Sequence, residues 1–226
     1  SEMCIRDSVG TTNDIGAMFG YGKDIIENLK MLLDGEEKNI DICTINDRPF
    51  VYVAGFGKFM NVPYETSRDL KKRYGHMAYL MEGFKELNQS TKLYDITYWV
   101  DCEEYNGLYS FVSISNATRI AGFNDFIKDV KLDDDRFEVL LCNISMKKDI
   151  IKSLYYLTKS DITKVPGFYF HKVNKMKIRF NDSQKINWCI DGERLDDDSR
   201  EFEIKVLRNV RLLIPKKNIK NLFIDE

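Results

Sequence analysis

Apolar positions follow two periods along the chain. Residues Asp24 to Leu33 put their apolar side chains on one helical face, and Asp34-Gly35 ends that helix. A longer helical pattern covers about 67–87, where Leu70, Tyr74, Met77, Leu80, Met81 and Phe84 share a face. From Asn39 the period drops to two. Ile40, Ile42 and Thr44 alternate with Asp41 and Cys43, Asn46-Asp47 turns the chain, and Phe50 to Ala54 returns as a hairpin. By this alternation Asp41 faces solvent, and it could also reach a metal through water. Further strands are expected at 92–100, 108–115, 137–142, 167–170, 175–180, 185–190, 202–206 and 210–214, with a short helix near 150–158. Many short strands separated by Asx and Gly turns describe an antiparallel β-sandwich, not a repeating βαβ domain. A boundary falls near Asp34, and the basic segment after Pro215 returns to the first unit. Residues 1–8 show no periodicity and are expected to be a boundary segment of non-native origin.

Composition narrows the class. With 43% hydrophobic residues, 12% aromatics and only four prolines in 226 positions, the chain can bury a substantial core over nearly its whole length. A formal charge of -2 lacks the basic excess of a dedicated nucleic-acid binder, so no nucleic-acid partner is expected. The five cysteines form no CxxC pair, which points to reduced thiols in a cytoplasmic protein and not to a disulfide framework or zinc site. No apolar run reaches the roughly 18 to 20 residues that span a bilayer, so membrane contact is expected to be peripheral. His76 and His171 are expected to be structural or exposed.

Three segments carry candidate chemistry. Gly10-Thr11-Thr12-Asn13-Asp14 leads into a helix, where it serves as a phosphate-binding loop or as an ordinary cap. Lys131-Leu132-Asp133-Asp134-Asp135-Arg136 offers the Asp134 carboxylate and nearby main-chain carbonyls to a hard cation such as Mg²⁺, or forms a solvated acidic turn. Asp191-Gly192-Glu193 presents Glu193 on a tight turn as a general base for an alcohol, or is a plain hairpin turn.

In order and spacing these segments resemble the C-terminal two-thirds of the diacylglycerol kinase-like lipid kinase family, of the soluble bacterial type. Gly10 to Asp14 is similar to the family's second nucleotide-contacting motif. Ile40-Asp41-Ile42 resembles its acidic strand, and Val53-Ala54-Gly55-Phe56-Gly57 the glycine-rich segment that follows. Asn116 to Gly122 and Lys131 to Asp135 resemble the segments around the metal loop, and Asp191-Gly192-Glu193 the turn that bears the base. The resemblance implies a mostly β, α+β protein. Residues 1–34 would be a remnant of an α/β nucleotide-binding domain, 35–214 the β-sandwich substrate and catalytic domain, and 215–226 the returning tail. It implies ATP and Mg²⁺ as cofactors, with Glu193 as base and Gly10, Thr11, Thr12, Asn13 and Asp14 at the nucleotide. Asp134 with the carbonyls of Lys131 and Arg136 would hold Mg²⁺, and Asp41 would reach it through water. The implied substrate is a lipid alcohol, met by transient contact with a membrane surface, and exposed sandwich edges admit a homodimer. Asp135 stands where the family carries glycine, and the upstream Gly-Gly-Asp-Gly-Thr phosphate loop is not in these residues, so weak ATP affinity is expected. The rival reading is a non-catalytic sandwich module that binds a lipid or a protein. A sphingoid base or a nicotinamide nucleotide is a further acceptor within the same kinase fold.

Overall fold

The period-two segments assemble into two six-stranded antiparallel sheets in a computed structural model, which describes residues 13–57, 92–120, 123–124, 127–143, 167–183, 186–216, 219 and 221–224. The helices expected at 67–87 and 150–158, His76, and Gly10 to Thr12 lie outside the described residues. Among the described residues two helices come first, α1 (Asp14–Met18) and α2 (Ile25–Leu33). The Asp24 carboxylate caps α2, accepting from the N–H groups of Ile26 at 2.8 Å and Glu27 at 3.1 Å. The face that α2 buries is not the apolar one expected. Asn28 and Leu32 are buried, Asn28 because its amide pairs with both main-chain polar groups of Gly22, while Ile25, Ile26, Leu29 and Leu33 are exposed.

The strands are β1 (Glu36–Ile45), β2 (Arg48–Phe50), β3 (Val53–Gly57), β4 (Tyr94–Val100), β5 (Glu103–Tyr109), β6 (Phe111–Ser115), β7 (Arg119–Ile120), β8 (Phe123–Asn124), β9 (Phe137–Cys142), β10 (Phe168–Val173), β11 (Lys175–Phe180), β12 (Trp188–Ile190), β13 (Glu193–Leu195) and β14 (Glu201–Ile214). One sheet runs β2-β1-β14-β11-β4-β5 and the other β10-β9-β6-β3-β12-β13, with β7 and β8 as a small ribbon. This is the expected sandwich, and three of its details differ from the sequence reading. The hairpin return is only β2, after which the chain crosses to the second sheet as β3. The segment 108–115 is broken at Ser110, whose N–H and hydroxyl both donate to the Cys142 carbonyl, so β5 and β6 lie in different sheets. Residues 202–206 and 210–214 belong to one long strand, β14, which carries a bulge.

Alternation decides what is inside. On β11 Met176, Ile178 and Phe180 point inward, and Lys175, Lys177 and Arg179, which alternate with them, point out. Between the sheets Phe56 is the hub of an aromatic cluster, with ring centroids 5.1 Å from Tyr94 and 4.9 Å from both Phe180 and Trp188. A second cluster joins Met18, Phe19 and Leu32 to Ile40, Ile42, Leu132 and the terminal Ile219, Leu222 and Phe223, so the tail packs where the helices meet the sheet. Gly57, at φ 94, lets β3 pass Ser110, whose carbonyl oxygen would lie 2.3 Å from a Cβ placed there.

Truncating the hub leaves a cavity that neighbouring rings cannot fill. Phe56→Ala is expected to lower stability by about 3–5 kcal/mol in urea unfolding followed by far-ultraviolet circular dichroism.

Candidate functional site

Asp41 interrupts the longest ladder of the sandwich. Ile40 pairs with Val210 and Ile42 with Leu207, so one residue of β1 faces two of β14, and Asn209 takes the left-handed conformation at φ 58. Asp41 is 8% exposed, contrary to the solvent-facing position expected from alternation, because both faces of β1 are covered here: Ile40 and Ile42 pack with the helices and the tail, and Cys43 and Ile45, on the face of Asp41, with the sandwich core. Its N–H donates to the Leu132 carbonyl at 2.6 Å, its carbonyl accepts from the Asn116 amide at 2.8 Å, and its Oδ2 accepts from the Asp135 N–H at 2.7 Å. Burial raises its carboxyl pKa above the usual range, while the N–H donors of Asp135 and Asn209 act in the opposite direction. Asp41 therefore meets the acidic loop through that loop's main chain.

The three aspartates of the loop do not form a solvated turn. Asp133 accepts from the Ile224 N–H at 3.0 Å and so holds the tail. Asp135 pairs with the Arg208 guanidinium at the bulge, through both carboxylate oxygens. Asp134 meets Lys172, whose Nζ lies 2.6 Å from its Oδ2, 3.1 Å from the Asp129 carbonyl and 3.5 Å from Glu138 Oε1. Asp135 sits at φ 59, a left-handed conformation that Asp tolerates better than most residues, so it keeps the backbone a glycine would adopt. The Lys131 side chain runs to the Asn221 and Phe223 carbonyls, and the Arg136 guanidinium donates to the Lys172 carbonyl. Among the described residues no three His, Cys, Asp or Glu side chains converge as a metal cage. A cation here would thus rest on the Asp134 carboxylate with main-chain oxygens, a hard donor set that fits Mg²⁺, and it would share Asp134 with the Lys172 ammonium.

The turn between β12 and β13 is built by Asp191 and Gly192 at φ 47 and 85, both left-handed as a two-residue type I′ hairpin requires. Asp191 is more than a turn residue. Its carboxylate accepts from the N–H groups of Val51, Tyr52 and Val53 at 2.8–3.0 Å, the residues where the chain leaves the first sheet for the second. Burial raises the Asp191 carboxyl pKa despite those three donors. Glu193 follows at the start of β13 and is exposed. Tyr52 links this turn to the first helix, since its hydroxyl donates to Asp14 Oδ2 at 2.6 Å while Arg119 Nε lies 2.9 Å from Asp14 Oδ1. Asn13 does not cap α1 with its side chain, and its buried Oδ1 has no hydrogen-bond partner among the described residues. The structure therefore joins Asp14 to the Asp191 turn through Tyr52, and Asp41 to the metal-loop candidates through Asp135.

Sequence reasoning missed Tyr52, Arg119, Glu138, Lys172 and Arg208. Glu138 was the one with a signal, a lone acid in the otherwise apolar run Phe137 to Cys142. It is 1% exposed, and burial with Asp134 nearby pushes its pKa up to about 7, against the pull of Lys172.

No protein-family model matches the chain. It is 28% identical over 185 residues to a diacylglycerol kinase of Staphylococcus saprophyticus, an alignment covering 82% of this chain and 60% of that protein. It is 29% identical over 187 residues to a diacylglycerol kinase of Staphylococcus aureus, covering 82% of this chain and 58% of that protein. A crystal structure of a diacylglycerol kinase from Bacillus anthracis superposes with a TM-score of 0.64 at 16% identity, over 92% of this chain and 65% of that one. The chain thus resembles the bacterial diacylglycerol kinase-like family in sequence and fold, and spans about 60% of the length of the curated relatives it matches.

Two stability predictions follow from these contacts. Asp191→Ala leaves three main-chain donors without their acceptor and is expected to cost about 1–3 kcal/mol in urea unfolding, with Asp191→Asn costing less. Because Glu138 has a pKa above its usual 4.5 when folded, its contribution is fully present below that value and is lost as pH rises toward 7. Stability should fall between about pH 4.5 and 7 by up to about 3 kcal/mol from this group and level off above, and Glu138→Gln should flatten the slope in the same unfolding series.

Proposed function

We propose that this chain carries the acceptor-side part of an ATP-dependent lipid kinase, which transfers the γ-phosphate of ATP to the hydroxyl of diacylglycerol or a related lipid alcohol. The observation that carries the reading is the 28–29% identity to diacylglycerol kinases over 82% of the chain. The arrangement of Asp41, the acidic loop and the Asp191 turn supports it.

In this reading Glu193 accepts the proton of the lipid hydroxyl, the alkoxide oxygen attacks the γ-phosphorus, and ADP leaves with the electrons of the broken P–O bond. Asp191 fixes the turn on which Glu193 stands, by gripping the main chain of β3's approach. The Gly10 to Asp14 segment is assigned to the nucleotide, and Asp14 is held in place by Tyr52 and Arg119. Mg²⁺, held by Asp134 and the Lys131 and Arg136 carbonyls with Asp41 behind the loop, would neutralise phosphate charge. Glu138 and Lys172 set the charge around Asp134, so they tune how strongly it attracts a cation. The lipid meets the protein at a membrane surface, and among the described residues no helix is long and apolar enough to cross a membrane.

The test is Mg²⁺-dependent transfer of labelled phosphate from ATP to diacylglycerol in mixed micelles, for this chain and for one extended upstream. Glu193→Gln is expected to lower kcat by about 10²- to 10⁴-fold with lipid binding retained. Transfer that is unchanged by Glu193→Gln removes Glu193 as base. Lipid binding without transfer in the extended chain favours a non-catalytic module.

A further inference from the structure

In the ladder between β9 and β10, Lys172 stands directly opposite Glu138, and the loop of aspartates enters β9 just before Glu138. The Lys172 ammonium therefore lies between two carboxylates. Its Nζ is 2.6 Å from Asp134 Oδ2 and 3.1 Å from the Asp129 carbonyl oxygen, and it is 3.5 Å from Glu138 Oε1. The Asp134 side chain is 14% exposed and that of Glu138 1%, so only the first is open to an arriving ion.

Glu138 is short of donors. Neither of its buried carboxylate oxygens has a hydrogen-bond partner among the described residues. A buried carboxylate in that state is costly, and one more charged donor would relieve it. The Lys172 ammonium can supply that donor. Its main chain is fixed by the ladder and by the Arg136 guanidinium on its carbonyl, so the side chain is the part free to move. Closing from 3.5 Å to the ~2.8 Å of a charge-assisted hydrogen bond takes a change of rotamer and no change of backbone. Asp134 meanwhile keeps its Oδ1 on the Arg136 N–H at 3.2 Å, which holds the carboxylate in the loop whichever cation its Oδ2 meets.

We propose that Lys172 is a built-in counter-cation of the acidic loop, resting on Asp134 in the metal-free protein and passing to Glu138 when Asp134 takes Mg²⁺. The inference rests on the reading of Asp134 as an Mg²⁺ ligand and adds what sets the affinity of that ligand. An ammonium on Asp134 keeps the carboxylate paired and competes for the same oxygen. Glu138 gives the ammonium a second seat, without which two positive charges would be driven together. Lys172 and Glu138 are positioning residues that act through Asp134.

Calorimetric titration of the chain with MgCl₂ alone, in mildly alkaline buffer, tests the exchange. Lys172→Met keeps much of the aliphatic stem and removes the competing charge, so Mg²⁺ is expected to bind at least about tenfold more tightly. Glu138→Gln removes the second seat and is expected to weaken Mg²⁺ several-fold. A lysine that only braced the loop would act in the opposite direction, its loss weakening the metal. In urea unfolding, the coupling between Lys172 and Glu138 from a double-mutant cycle is expected to grow on adding saturating Mg²⁺. If Lys172→Met fails to fold, Glu138→Gln decides. Asp134→Asn separates this inference from the reading beneath it. Where Asp134→Asn abolishes Mg²⁺ binding but Lys172→Met leaves it equal or weaker, or Glu138→Gln leaves it unchanged, or the coupling does not grow, the exchange is overturned and the loop remains a metal site. Mg²⁺ binding untouched by Asp134→Asn, or absent from both the wild type and Lys172→Met, overturns the metal site and the exchange together.

Discussion

A buried carboxylate at a break in a β-ladder holds the candidate chemistry of this protein together. Where β1 and β14 lose register, Asp41 has no paired residue on β14 and accepts from the Asp135 N–H, while its own main chain ties Leu132 and Asn116. A carboxylate is costly to bury unless donors replace its water, and here the main chain of the acidic loop and of Asn209 supplies them. The same exchange satisfies polar groups on the loop, so the loop and the bulge stabilise each other. Arg208 closes the arrangement from β14 by pairing with Asp135.

A second carboxylate does comparable work at the start of β3. Asp191 receives the three N–H groups exposed where the chain switches sheets, and this fixes both the crossover and the turn that bears Glu193. Tyr52, inside that crossover, reaches Asp14 on the first helix. The sandwich thus positions its candidate groups by side chains that terminate strands, while the aromatic core around Phe56 supplies the rigidity behind them.

The strands were legible because each has a buried inner face and a regular alternation, as in Met176, Ile178 and Phe180. The places where the alternation misled are those where distant parts of the chain cover a face or replace a ladder. Asp41 follows the period-two rule, but the face it shares with Cys43 and Ile45 is buried as well, which the alternation alone does not announce. Nothing local to Val51-Tyr52 announces a sheet switch, since its acceptor, Asp191, lies about 140 residues away. The triple aspartate looked solvated because its partners, Ile224, Lys172 and Arg208, come from three separate parts of the chain. The turn chemistry of Asp191-Gly192 was readable in place, and its gripping role was not.

The claim that Asp41 organises the acidic loop is tested most directly by amide hydrogen exchange at residues 132–135 in the wild type and in Asp41→Ala. The Asp135 amide is expected to lose at least tenfold of its protection, while β9, buried on both faces, keeps its own. Unchanged protection at Asp135 would contradict the claim and leave the loop held by Arg208, Lys172 and the tail alone.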